Sequence, residues 1–213
     1  MKLDNTSMRL YAVTDRAWVG RQTLYEQVEA AIRGGATCVQ LREKHLDKED
    51  FLAEARQIAA LCKAHGVPFI INDDLDIALA CGADGVHVGQ DDMPAAEVRR
   101  LAGRDLIVGV SAHNVAEARK AAADGADYLG AGAVFTTSTK QDVTALTHEG
   151  LKAICEAVDI PVVAIGGINA QNLLELQGTG VDGVAVVSAL FGARDIEAAA
   201  RNLRALSEKM TQK

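Results

Sequence analysis

One seven-residue pattern occurs four times along this chain. "GATCVQL" starts at residue 35, "GADGVHV" at 82, "GADYLGA" at 125 and "GVDGVAV" at 180. Each copy ends a helical stretch with Gly, passes an apolar residue and then an Asp or Thr, and enters a strand. Glycine is the expected helix terminator, because it alone adopts the left-handed cap without strain. The copies precede the second, fourth, sixth and eighth of eight short apolar runs, which begin with "RLYAVTD" at 9–15 and end with "GVAVVSA" at 183–189. Between the runs lie Ala- and Leu-rich stretches with helical spacing. Val28, Ala31 and Ile32 form one stripe, and Phe51, Leu52, Ala55, Ile58, Ala59 and Cys62 another. The last helix is expected from about Ile196 to Lys209. Strict strand–helix alternation implies a parallel sheet. Each repeat spacing holds two strand–helix units, which fits a closed (β/α)8 TIM barrel. An open doubly wound sheet is the rival, but it usually has fewer strands and nothing here resembles its GxGxxG turn.

At 213 residues the chain suffices for one sizeable core. No linker is apparent, so residues 1–213 are read as one barrel domain with a short N-terminal tail of about eight residues. The apolar fraction of 49% with three prolines excludes a disordered tail. No run reaches the roughly 18 apolar residues of a membrane span, and "MKLDNTSMRLYAV" lacks the apolar stretch of a signal peptide, so a cytoplasmic protein without a membrane partner is expected. Cys38, Cys62, Cys81 and Cys155 have no metal-ligand spacing and read as reduced thiols. The net charge of -7 and the single Trp18 argue against nucleic-acid binding. In so acidic a chain, a convergence of cations stands out.

Barrel chemistry sits at the C-terminal strand ends. The Asp residues of the repeats, such as Asp84 and Asp182, fall at the opposite end and read as structural. At the active end, Gln40, Arg42 and Lys44 sit two apart, so in a strand all three share one face. Asn72, Asp73 and Asp74 end strand three, Asp91 and Asp92 follow strand four, and Ser111 and His113 end strand five. The run Thr136, Thr137, Ser138, Thr139, Lys140 follows strand six, Gly166 and Gly167 end strand seven, and Ser188 ends strand eight.

Two readings of this set stand side by side. Arg42 and Lys44 could bond Glu43 or Asp73, and Asp91 or Asp92 could cap a helix. Alternatively, buried cations would pair with a polyanionic ligand. Asp73 and Asp92 lie on neighbouring strands and could share one magnesium ion. Together with Lys140 they suggest a magnesium–diphosphate site. Gly167 and strand eight offer backbone N–H groups for a monophosphate. His113 is a possible acid–base group, whereas His87, inside a strand, reads as a structural histidine.

"QLREK", "NDD…A…GADGVHVGQDD", "GVSAH", "TSTKQD", "AIGGI" and "VVSAL" occur in this order. Together they closely resemble the thiamin phosphate synthase family over roughly residues 9–206. The resemblance implies a (β/α)8 barrel. It also implies a transferase that joins 4-amino-5-hydroxymethyl-2-methylpyrimidine diphosphate to hydroxyethylthiazole phosphate with magnesium. By the same resemblance, Gln40, Arg42, Lys44, Asn72, Ser111 and Lys140 hold the pyrimidine diphosphate, and Arg42, Lys44, Ser111 and Lys140 assist its ionisation. Asp73 and Asp92 ligate Mg2+. Thr137, Ser138, Thr139, Gly167, Val187 and Ser188 meet the thiazole phosphate. The family often has proline where this chain has Thr136, which implies a less rigid loop. Rival readings are a thiazole tautomerase-like isomerase, a Schiff-base aldolase using Lys140, and a non-catalytic phosphate-binding barrel. The oligomeric state is not legible in the sequence.

Overall fold

The structure is a computed structural model that describes residues 5–20, 22–135 and 146–212. Eight parallel strands follow one another around the ring in chain order. They are β1 (Leu10–Val13), β2 (Cys38–Leu41), β3 (Phe69–Asn72), β4 (Gly85–Val88), β5 (Ile107–Ala112), β6 (Tyr128–Gly132), β7 (Val162–Ile165) and β8 (Gly183–Val186). β8 returns to β1, with Tyr11 opposite Ala185, and so closes the expected barrel. The helices are α1 (Leu24–Arg33), α2 (Lys48–His65), α3 (Leu75–Cys81), α4 (Ala95–Ala102), α5 (Val115–Ala123), α6 (His148–Glu156), α7 (Ser188–Phe191) and α8 (Ile196–Met210). Thr23, Asp47, Asp74, Asn114, Thr147 and Asp195 start six of these by accepting a free N–H in the first turn.

The alternation fails at one point. Between β7 and β8 the chain makes a 3-10 turn, Leu173–Leu176, while α7 and α8 both follow β8. The cause is local. The Asn169 N–H donates to the Asn172 side chain, and the Gln171 N–H to the Asn169 side chain, so side-chain oxygens take up groups a regular helix start would use otherwise. Gly178 and Gly180 then turn the chain at positive φ.

Strand residues alternate between two cores. Leu10 and Ala12 pack outward against the helices, whereas Tyr11 and Val13 point into the ring. Inside the ring they meet Met8, Cys38, Ile70, Ile107, Tyr128, Val163 and Ala185. All four cysteines are free, and burial pushes the Cys62 thiol up to about 12, so it is inert.

The repeat has a physical meaning. Its third residue is Thr37, Asp84, Asp127 or Asp182, and in every copy that residue grips the preceding strand with two bonds. The side-chain oxygen accepts from the N–H of Leu10, Phe69, Val108 or Val162 at 2.8–3.0 Å. The backbone N–H of the same residue donates to the carbonyl of the same partner at 2.7–2.9 Å. Both polar groups of one strand residue are thus satisfied by a single side of the next unit. In the third copy, Arg99 also bonds Asp127 at 2.6 Å.

Candidate active site

A cavity opens at the C-terminal end of the barrel. Its lining includes Gln40, Arg42, Asn72, Ser111, Gly167, Val187 and Ser188, all named from the sequence. Lys44, Asp73 and Asp92 do not line this cavity. They group on the β2–β4 side, where the Lys44 Nζ donates to Asp73 Oδ2 at 2.9 Å. Thr136, Thr137, Ser138, Thr139 and Lys140 lie outside the described residues.

The expected row of three on one strand face holds for two residues. β2 ends at Leu41, and Gln40 and Arg42 face the cavity. Glu43 then turns the chain, its carboxylate accepting the N–H groups of Lys44 and His45 at 2.7 and 2.9 Å. That turn carries Lys44 sideways to Asp73. Arg42 bonds not Glu43 but Asp15, at 3.3 Å. Glu43 is held by Arg16 at 2.5 Å.

The two acidic pairs also separate by role. Asp74 caps α3 through the Ile77 N–H, at 2.9 Å. Asp73 sits at φ +64, the sole non-glycine residue at positive φ among those described. Such backbone is strained for most side chains and is found preferentially at functional sites. Asp92 caps no helix, since Pro94 starts α4. Its Oδ2 instead accepts the Gly89 N–H at 2.7 Å.

Asp73 and Asp92 approach within hydrogen-bonding reach of each other. Burial raises the Asp73 pKa above the ordinary carboxylate value, Lys44 lowers it, and Asp92 raises it again. The net direction is upward. Among the described residues, no three or more His, Cys, Asp or Glu are grouped so that they could hold a metal ion between them. Two oxygen-bearing side chains with room for other ligands suit a hard cation such as magnesium, which commonly keeps water and phosphate oxygens in its shell.

With its folded pKa raised, Asp73 contributes stability below its unfolded pKa, and that contribution is lost as pH rises through the folded value. Affinity for a divalent cation held by these carboxylates would run the other way and increase across the same window. NMR titration of the carboxyls in cation-free protein is expected to place Asp73 above the ordinary range. In Asp92→Asn it is expected to fall. No change on that substitution would show that the two acids do not interact.

At the floor of the cavity lies a buried hydrogen-bonded chain. Gln40 Nε2 donates to the Tyr11 hydroxyl at 2.9 Å. The Tyr11 and Tyr128 hydroxyls are 2.7 Å apart. The Tyr128 hydroxyl lies 2.9 Å from His87 Nδ1, and His87 Nε2 lies 3.0 Å from Ser111 Oγ. Burial first, and the phenol–phenol contact second, push the Tyr11 pKa well above its usual value; burial does the same to Tyr128. Both phenols therefore keep their protons. His113 reaches the cavity rim, where its Nδ1 pairs with Glu117 at 2.8 Å, while Asn114 caps α5.

Sequence reasoning missed Tyr11, Tyr128 and Asp15. Tyr128 had one available signal. It stands fourth in the third repeat, where the other copies carry Cys38, Gly85 and Gly183. A large residue at a position otherwise small needs matching space, and Gly109, directly opposite in register, supplies it.

Comparison with known proteins completes the description. The family model described as thiamine monophosphate synthase matches residues 10–190. A thiamine-phosphate synthase from Chloroflexus aurantiacus is 54% identical over 199 residues, covering 93% of this chain and 92% of the relative. One from Ruminiclostridium cellulolyticum is 52% identical over 202 residues, covering 95% of each. The solved structure of a thiamine phosphate pyrophosphorylase from Pyrococcus furiosus superposes with a TM-score of 0.90 at 40% identity, over 98% of this chain and 99% of that one.

Proposed function

The chain belongs to the thiamine monophosphate synthase family and is a transferase of thiamine biosynthesis, and from that premise we propose which substrates it joins and how its residues act. The substrates are 4-amino-5-hydroxymethyl-2-methylpyrimidine diphosphate and hydroxyethylthiazole phosphate. The products are thiamin phosphate and diphosphate. The single observation that carries this reading is the charge layout of the mouth. The Arg42 guanidinium lines the cavity and the Lys44 ammonium pairs with one of two apposed carboxylates, while Gly167, Val187 and Ser188 line the cavity from the ends of β7 and β8.

Asp73 and Asp92 would hold magnesium, which when bound supplies positive charge to the diphosphate oxygens. Arg42 and Lys44 exchange their present partners, Asp15 and Asp73, for the same oxygens. Lys140, which follows β6 in the sequence, joins them. Negative charge grows on the diphosphate as its C–O bond to the pyrimidine methylene breaks. Cations fixed where that charge develops favour the transition state over the ground state.

Gln40, Asn72 and Ser111 orient the pyrimidine ring so that its amino group feeds electrons toward the methylene. The thiazole nitrogen then attacks that carbon. Its phosphate is held by the backbone N–H groups of Gly167 and Ser188, with Val187 beside them, and by Thr137, Ser138 and Thr139, which follow β6 in the sequence. Both Gly166 and Gly167 have positive φ, +101° and +66°. A Cβ on Gly166 would come within 2.5 Å of the Ala133 Cβ, so this bend needs glycine. No strong general base is required, because the nucleophile carries a lone pair.

The test is an assay with both substrates, with and without magnesium, reading diphosphate release. Chelation is expected to abolish product formation, and added magnesium to restore it. A tautomerase-like isomerase would release no diphosphate. Full turnover after chelation would remove the metal from the account.

A further inference from the structure

The buried chain at the cavity floor can be followed hydrogen by hydrogen. Each hydroxyl has one hydrogen, and each of the four contacts consumes one. Suppose Tyr128 donates to His87 Nδ1. Tyr128 must then accept from Tyr11, and Tyr11 must accept from Gln40. The Gln40 amide nitrogen is committed to the floor, and its Oε1 is left to the cavity. A neutral His87 whose Nδ1 accepts carries its hydrogen on Nε2 and donates to Ser111 Oγ. Ser111 is then free to donate its own hydrogen into the cavity.

The opposite setting is equally complete. If Ser111 donates to His87 Nε2, the hydrogen moves to Nδ1, Tyr128 accepts there and donates to Tyr11. Tyr11 then donates to Gln40 Oε1, and the amide hydrogens face the cavity. The chain has two settings. In one, Gln40 accepts and Ser111 donates; in the other, Gln40 donates and Ser111 accepts. In neither do both groups donate into the cavity.

We infer that Tyr11, Tyr128 and a neutral His87 form a positioning relay that keeps Gln40 and Ser111 from both donating into the cavity, so that it rejects a ligand edge with two acceptors and admits one with a donor beside an acceptor. A 4-aminopyrimidine has that edge, since its exocyclic amine donates and the adjacent ring nitrogen accepts. An edge carrying two acceptors meets one mismatched group in either setting. Leaving a buried polar group unpaired is the penalty that gives such sites strong discrimination.

The packing protects the relay. Tyr11 and Tyr128 are 1% and 0% exposed, and Gln40 is 5% exposed. Gly109 and Gly130 leave space for the Tyr128 and His87 rings. A Cβ on Gly109 would lie 2.1 Å from Tyr128 Cζ, and one on Gly130 3.2 Å from His87 Cε1. The rings have little freedom to turn away and let the links uncouple.

The inference rests on the pyrimidine assignment above, and the experiment separates the two. The probes are two inert methylene-bridged analogues of the pyrimidine diphosphate, one with the 4-amino group and one with 4-methoxy. Their dissociation constants are measured by calorimetry in the presence of magnesium. The wild type is expected to prefer the amino analogue by about 100-fold or more. Tyr128→Phe removes one hydroxyl, keeps the ring and cuts the relay, so Gln40 and Ser111 set themselves independently. The preference is then expected to narrow at least tenfold. Tyr11→Phe cuts the same relay elsewhere and is expected to narrow it equally, and the double variant to add nothing further.

Steric differences between the probes cancel when the ratio is compared across variants. An unchanged ratio in both single variants overturns the relay, as does a wild type that binds both probes alike. If the wild type fails to bind the amino probe, the substrate assignment itself is lost, and the relay's purpose with it.

Discussion

Arg42→Ala is expected to lower kcat by about 100- to 1000-fold, the usual consequence of removing one fixed electrostatic donor from a reacting centre. Arg42 lines the cavity and pairs with Asp15, whose side chain is only 17% exposed. Truncation does two things. It removes a guanidinium from the place where diphosphate charge develops, and it leaves the Asp15 carboxylate without its partner beside an incoming anion. Arg42→Lys is expected to recover little, because an ammonium cannot make the forked contact to two oxygens. The thermal midpoint should hardly move, since the pair is part-exposed and such pairs contribute about 0–1 kcal/mol. Single-turnover kinetics with saturating substrates is the check. A loss smaller than about threefold would take Arg42 out of the reacting centre altogether.

Gly109→Ala is the second substitution with a large expected effect, and it acts on stability. A methyl there would lie 2.1 Å from Tyr128 Cζ and 2.4 Å from Cε1. Neither partner has anywhere to go, since Tyr128 is fully buried inside the ring. Overpacking of this kind costs about 1–3 kcal/mol, which in a chain of this size is a fall in Tm of about 2–12 °C. Pairing it with Tyr128→Leu should return part of that loss, because the second change removes the ring that the methyl meets. The double variant would lack the phenol and so would also lose the pyrimidine preference. Thermal unfolding of the three variants tests the packing, and equal midpoints for Gly109→Ala and wild type would contradict it.

Much of the barrel could be read in advance because its units repeat. The Gly–x–Asp pattern marked where helices stop and strands begin. What broke the expectation was local competition. The side chains of Asn169 and Asn172 reduced the helix expected between β7 and β8 to a 3-10 turn. The carboxylate of Glu43 ended β2 before Lys44 could continue the inward row. The active end was legible as a set of residue types at strand ends, but not as a set of partners. Arg42 meets Asp15 and Lys44 meets Asp73, and pairing of that kind depends on how neighbouring loops fold over the rim. Least legible was the Tyr11–Tyr128 contact, between residues 117 positions apart. Neither tyrosine stands at the C-terminal end of its strand, so a search of those ends passes over both.

The ties made by Thr37, Asp84, Asp127 and Asp182 join each odd strand to the unit after it. The smallest piece that completes its own fastenings is therefore a quarter of the ring, and the whole is four quarters set side by side. Those fastenings lie at the opposite rim from the reacting groups. Ancestral duplication of a quarter would have carried the fastening along intact, leaving the far rim open to acquire new chemistry without loosening the vessel.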